Sequence, residues 1–299
     1  MVTWSSYFPS LGQLQPIWRI AMRTSKAVEM FLGYQGVNSG EKTIKNYRVL
    51  LHKFENHLGE KELSQISSED IFNFLAQYTE GQKQSTKRLK FTLIKAFFNF
   101  ISANVDETLP NPCHAQVLRK SFRDTSGKQW TILEKDVVDE IIFRTENPRN
   151  RLMLELMARG GMRIGEVLKL KAGDVDDRKL CIDSPKSGRQ SEVVFIPKKV
   201  AERLKNYIRS KEMRSADRIF PMGYTGARAI VKKAGQAVGI DLCPHDLRRH
   251  AATYASRAGT PLEIVSKVIL RHANLSTTQR YLGKVSDTEA IHWIENIYH

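Results

Sequence analysis

Cysteine is scarce in this 299-residue chain. Cys113, Cys181 and Cys243 are odd in number, far apart and without a CxxC spacing. That argues against a disulfide framework or a thiolate zinc site and fits a reducing cytosol. No stretch approaches the ~20 apolar residues that a membrane span needs. The first 20 residues hold Trp4, Tyr7, Phe8 and Trp18 but no basic segment leading into an apolar run. They therefore read as an irregular arm rather than a signal peptide. Internal repeats and low-complexity tracts are also missing. Acidic residues are in deficit: 47 Lys and Arg face 32 Asp and Glu, a net charge of +15. A basic excess of this size points to a polyanionic partner, because lysine and arginine can replace the counterions condensed on DNA. A hydrophobic content of 41% is enough to build real cores.

What is present is mostly helical periodicity. In Thr43–Leu58, Ile44, Tyr47, Leu50, Leu51, Phe54 and Leu58 recur at i, i+3, i+4 spacing. Ser67 or Ser68 can cap a following helix with apolar Ile71, Phe72, Phe74 and Leu75. Ser85–Ser102 aligns Leu89, Leu93, Ala96, Phe97 and Phe100 along one stripe. Residues 21–104 thus predict an all-α domain, and its Lys42, Lys45, Arg48, Lys83, Lys87, Arg88 and Lys90 are candidates for phosphate contact. Residues 105–128, with Pro110, Asn111, Pro112 and Gly127, read as a linker. A second domain then runs over 129–299. It is mostly helical, with one β-hairpin predicted from Leu180–Asp183 and Ser191–Ile196 around a Pro185–Gln190 turn. The expected class is mainly α with a small β element.

The chemistry-bearing residues lie in this second domain. Arg163 in ARGGMRIGEVLKL follows the helix-breaking Gly160–Gly161 pair, at a helix start suited to anions. Its plainer role is an ion pair with Glu166, which can also hold the arginine in place. Lys186 falls on the hairpin turn, where a lysine can swing or simply be solvated. His245 and Arg248 in PHDLRRH are three apart and share a helix face, with Pro244 at the helix start. Otherwise they are an N-terminal residue and a surface charge. His250 points elsewhere and reads as structural. His272 precedes Tyr281 by nine residues, and Asn274–Ser276 opens a helix carrying the tyrosine. Tyr224, Tyr254 and, on the plain reading, Tyr281 are core residues. Two arginines, a lysine and a histidine would favour a phenolate and stabilise charge on a pentacoordinate phosphorane.

In this order the residues resemble the tyrosine recombinase (phage integrase) family. Arg163 matches the arginine of its G-x-R-x-x-E box, Lys186 its hairpin lysine, His245 and Arg248 its H-x-x-R pair, His272 the histidine of its L-G-H turn, and Tyr281 its nucleophile. The likeness is close over about 129–283 and looser over 21–104. Arg271 departs from it, standing where the family has a turn glycine. The resemblance implies a site-specific DNA recombinase working through a 3′-phosphotyrosyl intermediate, with no metal and no cofactor. It also implies double-stranded DNA as partner, a clamp around the duplex, and a homo-tetramer on two DNA sites. The apolar spacing of Ala290, Ile291, Trp293, Ile294 and Ile297 in the tail 286–299 suggests docking on a neighbouring protomer. A nucleoid-associated, cytoplasmic protein follows. Type IB topoisomerase-like relaxation and a catalytically silent DNA-binding module remain as alternatives. Target sequence and accessory factors are not legible.

Overall fold

The computed structural model describes residues 22–59, 61–124, 132–183, 191–279, 282, 291, 294 and 295. The chain divides into two compact units, Met1–Gly127 and Lys128–His299. Among the described residues the architecture is mainly α with one small antiparallel sheet, the class expected from the sequence. No helix among them is long and apolar enough to cross a membrane.

The first unit holds α1 (Thr24–Asn38), α2 (Glu41–Leu58), α3 (Ser68–Tyr78), α4 (Gln84–Asn104) and the short α5 (Gln116–Ser121). Helix α2 buries Tyr47, Leu50, Leu51 and Phe54, one face of a 3.6-residue period, and ends at Gly59, whose φ of 62° suits glycine. Ser67 caps α3: its side chain accepts from the Asp70 amide at 3.2 Å while Asp70 accepts from the Ser67 amide at 2.8 Å. The core is an aromatic cluster in which Phe31 meets Tyr47 and Phe97 edge to face at 4.9 and 5.6 Å.

Two expectations change in this unit. Helix α4 buries Phe91, Ile94, Phe97, Phe98 and Ile101, whereas Leu89 is 52% exposed and Leu93, Ala96 and Phe100 are only partly covered. Apolar residues wrap more than one face of this helix, so periodicity leaves two adjacent stripes to choose between, and the rings of α1 and α2 select one. The stretch read as a linker is folded in its first part. Cys113, Leu118 and Phe122 all join the buried core, and α5 with a 3₁₀ turn at Pro112–His114 carries them there. The basic residues marked for phosphate contact all keep solvent exposure.

The second unit holds α6 (Lys135–Phe143), α7 (Pro148–Arg159), α8 (Ile164–Lys169), β1 (Val175–Asp176), β2 (Lys179–Asp183), β3 (Ser191–Phe195), α9 (Lys198–Ser210), α10 (Tyr224–Gln236), α11 (Pro244–Arg257), α12 (Leu262–Ile264) and α13 (Leu275–Gln279). A five-residue π-helical stretch, Val265–Ile269, continues α12. The predicted hairpin is β2 with β3, in register from Lys179↔Phe195 to Asp183↔Ser191, and β1 adds a third strand at its other edge. Helices α7 and α11 are the spine: residues 152–158 and 247–253 are all buried. Tyr224 and Tyr254, expected in the core, are instead exposed. Each sits on the outward side of its helix, and Tyr254 stacks on His250 at 5.7 Å.

Candidate active site

The Arg163 arm is built by a glycine turn. Helix α7 ends at Gly160, and Gly161 takes φ 61°, which L side chains rarely adopt. A Cβ on Gly161 would lie 2.8 Å from the Ile269 carbonyl, so the turn before α8 presses directly on the segment leading to His272. Arg163 is the N-cap of α8. Glu166 accepts from its backbone amide at 2.8 Å and from its Nη1 at 2.6 Å. Both roles foreseen for Glu166 therefore hold at once: it pairs with the arginine and fixes its direction.

Helix α11 presents the second pair. Pro244 occupies the first turn, where its missing N–H costs nothing, and the Cys243 amide donates to Asp246 at 2.8 Å. His245 stands at the helix start, half enclosed by the protein with part of its surface open to solvent. Arg248, three residues on, is 0% exposed and is no surface charge. Its Nη1 donates to the Gly161 carbonyl and its Nη2 to the Leu270 carbonyl. One guanidinium thus staples the turn before Arg163 to the turn before His272. His250 is structural, as read from its helix position, with Nδ1 2.8 Å from the Leu133 carbonyl.

The third arm is the His272 turn. The π-helical stretch ends at Leu270, and Arg271 adopts φ 52°. Arg271, standing where the resemblance places a turn glycine, thus has the left-handed backbone that glycine favours. The His272 amide donates to the Ser266 carbonyl at 2.9 Å. The ring's Nδ1 shares a 3.0 Å hydrogen bond with the Thr278 hydroxyl, which donates to Ser266 Oγ at 2.9 Å. These buried hydroxyls set the ring plane.

Electrostatics tie the arms together. Burial, then the charges of Arg248, Arg163 and Arg271 with His245, lowers the pKa of His272 to about 4. Burial, then Arg248, Arg249 and Arg163, also lowers His245 below its ordinary 6.5 against the opposing pull of Asp246. Arg163, His245, Arg248 and His272 therefore form one positive cluster with both imidazoles neutral at pH 7. Such a cluster suits a phosphate diester and can pass protons beside it. Lys186 and Tyr281 lie outside the described residues, as do most of residues 286–299.

Sequence reading missed the roles of Glu192, Thr278 and Ser266 and the grip of Arg271. Glu192 carried a usable signal. It shares the inward face of β3 with Val194, where a charged residue needs a partner.

The phage integrase family profile matches residues 131–286, and the phage integrase N-terminal SAM-like domain matches 28–104. Tyrosine recombinase XerA of Pyrococcus horikoshii is 29% identical over 273 residues, 86% of this chain and 88% of that protein. Tyrosine recombinase XerC of Herpetosiphon aurantiacus is 29% identical over 287 residues, 87% and 91% respectively. Among solved structures, the Tn1549 transposon integrase in complex with transposon right end DNA superposes with a TM-score of 0.76 at 16% identity, covering 93% of this chain and 100% of that one. A lambda integrase tetramer bound to a Holliday junction gives 0.69 at 17% identity, covering 90% and 80%. At these identities the structures speak for the fold. The catalytic profile covers more than half of the sequence, and the chain belongs to the phage integrase family of tyrosine recombinases, enzymes that cut and rejoin DNA strands.

Proposed function

We propose that the protein is a site-specific DNA recombinase that works by phosphotyrosine exchange, for integration or excision of a mobile element or for resolution of DNA multimers. The observation that carries the reading is the Arg248 guanidinium, on the helix whose first turn carries His245, which ties the turn before Arg163 to the turn before His272. Tyr281 attacks the scissile phosphate in line. The P–O bond to the 5′ oxygen breaks, a 3′-phosphotyrosyl ester forms, and Lys186 gives its proton to the departing oxygen. Arg163 and Arg248 stabilise the charge on the non-bridging oxygens. His245, neutral at pH 7, takes the phenol proton, and His272 adds another hydrogen bond at the phosphate. The ester conserves the bond energy, so attack by a second strand's 5′-hydroxyl rejoins DNA without ATP.

The partner is double-stranded DNA, engaged by the basic helix faces of the first unit and by the cluster of the second. The working assembly is a tetramer on two sites, held through residues 286–299. Ile291 and Ile294, both exposed, support an exchange of this tail between protomers. Work on genomic DNA implies the cytoplasm, at the nucleoid. The test is denaturant-trapped cleavage on DNA fragments from the source genome, with wild-type and Tyr281→Phe protein. Covalent 3′ adducts at one sequence, lost in Tyr281→Phe while binding persists, are the expected result. Cleavage that survives in Tyr281→Phe would refute the nucleophile. Relaxation of supercoils without joining of two duplexes would refute recombination. Deleting 286–299 should leave cleavage by monomers but abolish tetramers on DNA, and undiminished tetramers would refute the tail exchange.

A further inference from the structure

Arg271 occupies a position whose backbone suits glycine. Its φ of 52° is left-handed, and a non-glycine residue there is strained. Nothing about the turn itself asks for an arginine. The side chain is nevertheless spent deliberately. It is 2% exposed, and all three of its nitrogens are engaged: Nη2 to Glu166 at 2.6 Å, Nε to Glu192 at 3.3 Å and Nη1 to the Ile269 carbonyl at 2.9 Å. Glu166 is the carboxylate that holds Arg163, its other oxygen lying 2.6 Å from Arg163 Nη1. Glu192 is the second residue of β3, the strand that follows the segment containing Lys186 in sequence. A single buried guanidinium therefore meets the Arg163 arm, the return strand of the hairpin and the end of the π-helical stretch before His272.

We propose that Arg271 is a positioning residue of the recombination site: it shares Glu166 with Arg163 and balances two buried carboxylates, so that the Arg163 guanidinium stays directed at the scissile phosphate. The inference rests on the functional reading above. Its physical basis is charge. Arg163, Glu166, Arg271 and Glu192 sum to zero. Without Arg271 the same group carries a net negative charge beside the place where a phosphate must bind. That excess charge would draw Arg163 back toward the carboxylates and away from the phosphate. The low pKa of Glu166 fits this sharing: burial would raise it, but Arg271 and then Arg163 outweigh burial.

The experiment compares wild type, Arg271→Gly, the double variant Arg271→Gly with Glu192→Gln, and Arg163→Ala, on a nicked suicide substrate carrying the cleavage site. Glycine suits the left-handed turn, so the variant removes the buried guanidinium and its stem without straining the backbone. Arg271→Gly should cleave more slowly by about tenfold or more in single turnover, the order expected for an uncompensated charge near the reacting phosphate. DNA affinity, spread over many phosphate contacts, should change by about twofold or less. Removing the second carboxylate's charge should bring the double variant back to within about threefold of wild type. Cleavage by Arg271→Gly at the wild-type rate overturns the proposal. So does a double variant that folds and binds DNA yet stays as slow as the single one, because the arginine would then serve only packing. If Arg271→Gly does not fold, the double variant decides alone: near wild-type cleavage supports the role and slow cleavage refutes it. Arg163→Ala separates the two layers. If it cleaves normally, the site reading falls. If it is inactive while Arg271→Gly is fast, only the role of Arg271 falls.

Discussion

Replacing Arg248 should destabilise the second unit as well as stop its chemistry, and the two effects can be measured apart. Arg248 is wholly buried and donates to the carbonyls of Gly161 and Leu270. Alanine leaves both acceptors without these donors inside a packed interior. Each orphaned buried polar group costs about 1–3 kcal/mol. The void left by the long side chain adds to this, and relief from burying a guanidinium subtracts from it. A net loss of about 3 kcal/mol is expected for Arg248→Ala. Arg248→Lys keeps the charge, but a single ammonium lacks the fork that spans two carbonyls, so about 1–2 kcal/mol should be lost. Arg163→Ala is the contrast. That side chain is 25% exposed and pairs with a carboxylate that Arg271 also holds, so its loss should cost about 1 kcal/mol or less. Urea unfolding by far-ultraviolet circular dichroism, with hydrogen exchange of α11 amides to isolate this unit, gives the free energies. Single-turnover cleavage should fall for all three variants. Stability of Arg248→Ala within 1 kcal/mol of wild type would refute the staple.

Other consequences follow from the same geometry. The folded-state pKa of His272, about 4, lies below its ordinary 6.5. The unfolded chain therefore binds that proton first, and stability should fall as pH drops from about 6.5 toward 4, with His245 and His250 acting in the same sense. Urea midpoints across this window should decline less steeply in His272→Gln, and an unchanged slope would contradict the shift. Gly161→Ala places a Cβ 2.8 Å from the Ile269 carbonyl at φ 61°. It should cost about 2 kcal/mol or more in urea melts and slow cleavage by displacing the His272 turn. Ser67→Ala removes the cap of α3 and should cost about 1 kcal/mol, with cleavage unchanged.

Much of this protein is legible in its sequence because the signals are local. Helix periodicity, the Ser67 cap, the Pro244 start of α11 and the β2–β3 hairpin all depend on neighbours within a few positions. The choice of buried stripe in α4 was not legible. Leu89, Leu93 and Phe100 fit the period as well as Phe91, Ile94 and Phe98, and only the rings of the packed helices discriminate. The folding of residues 105–124 depended on an apolar trio, Cys113, Leu118 and Phe122, set among proline and polar residues that signal a linker. The exposure of Tyr224 and Tyr254 follows from which helix sides face solvent.

The sequence by itself determined the fold class and the family and nominated the chemical groups, since these rest on residue type and order. The tertiary structure alone decided what those groups are held by. Whether an arginine is a surface charge or a buried staple depends on acceptors 87 and 22 residues away, as Arg248 shows with Gly161 and Leu270. Whether Arg271 is a misplaced turn residue or the hub of two carboxylates depends on Glu166 and Glu192, 105 and 79 residues away. The cost of burying a charge is met only by partners the fold brings to it, and no local pattern encodes that meeting.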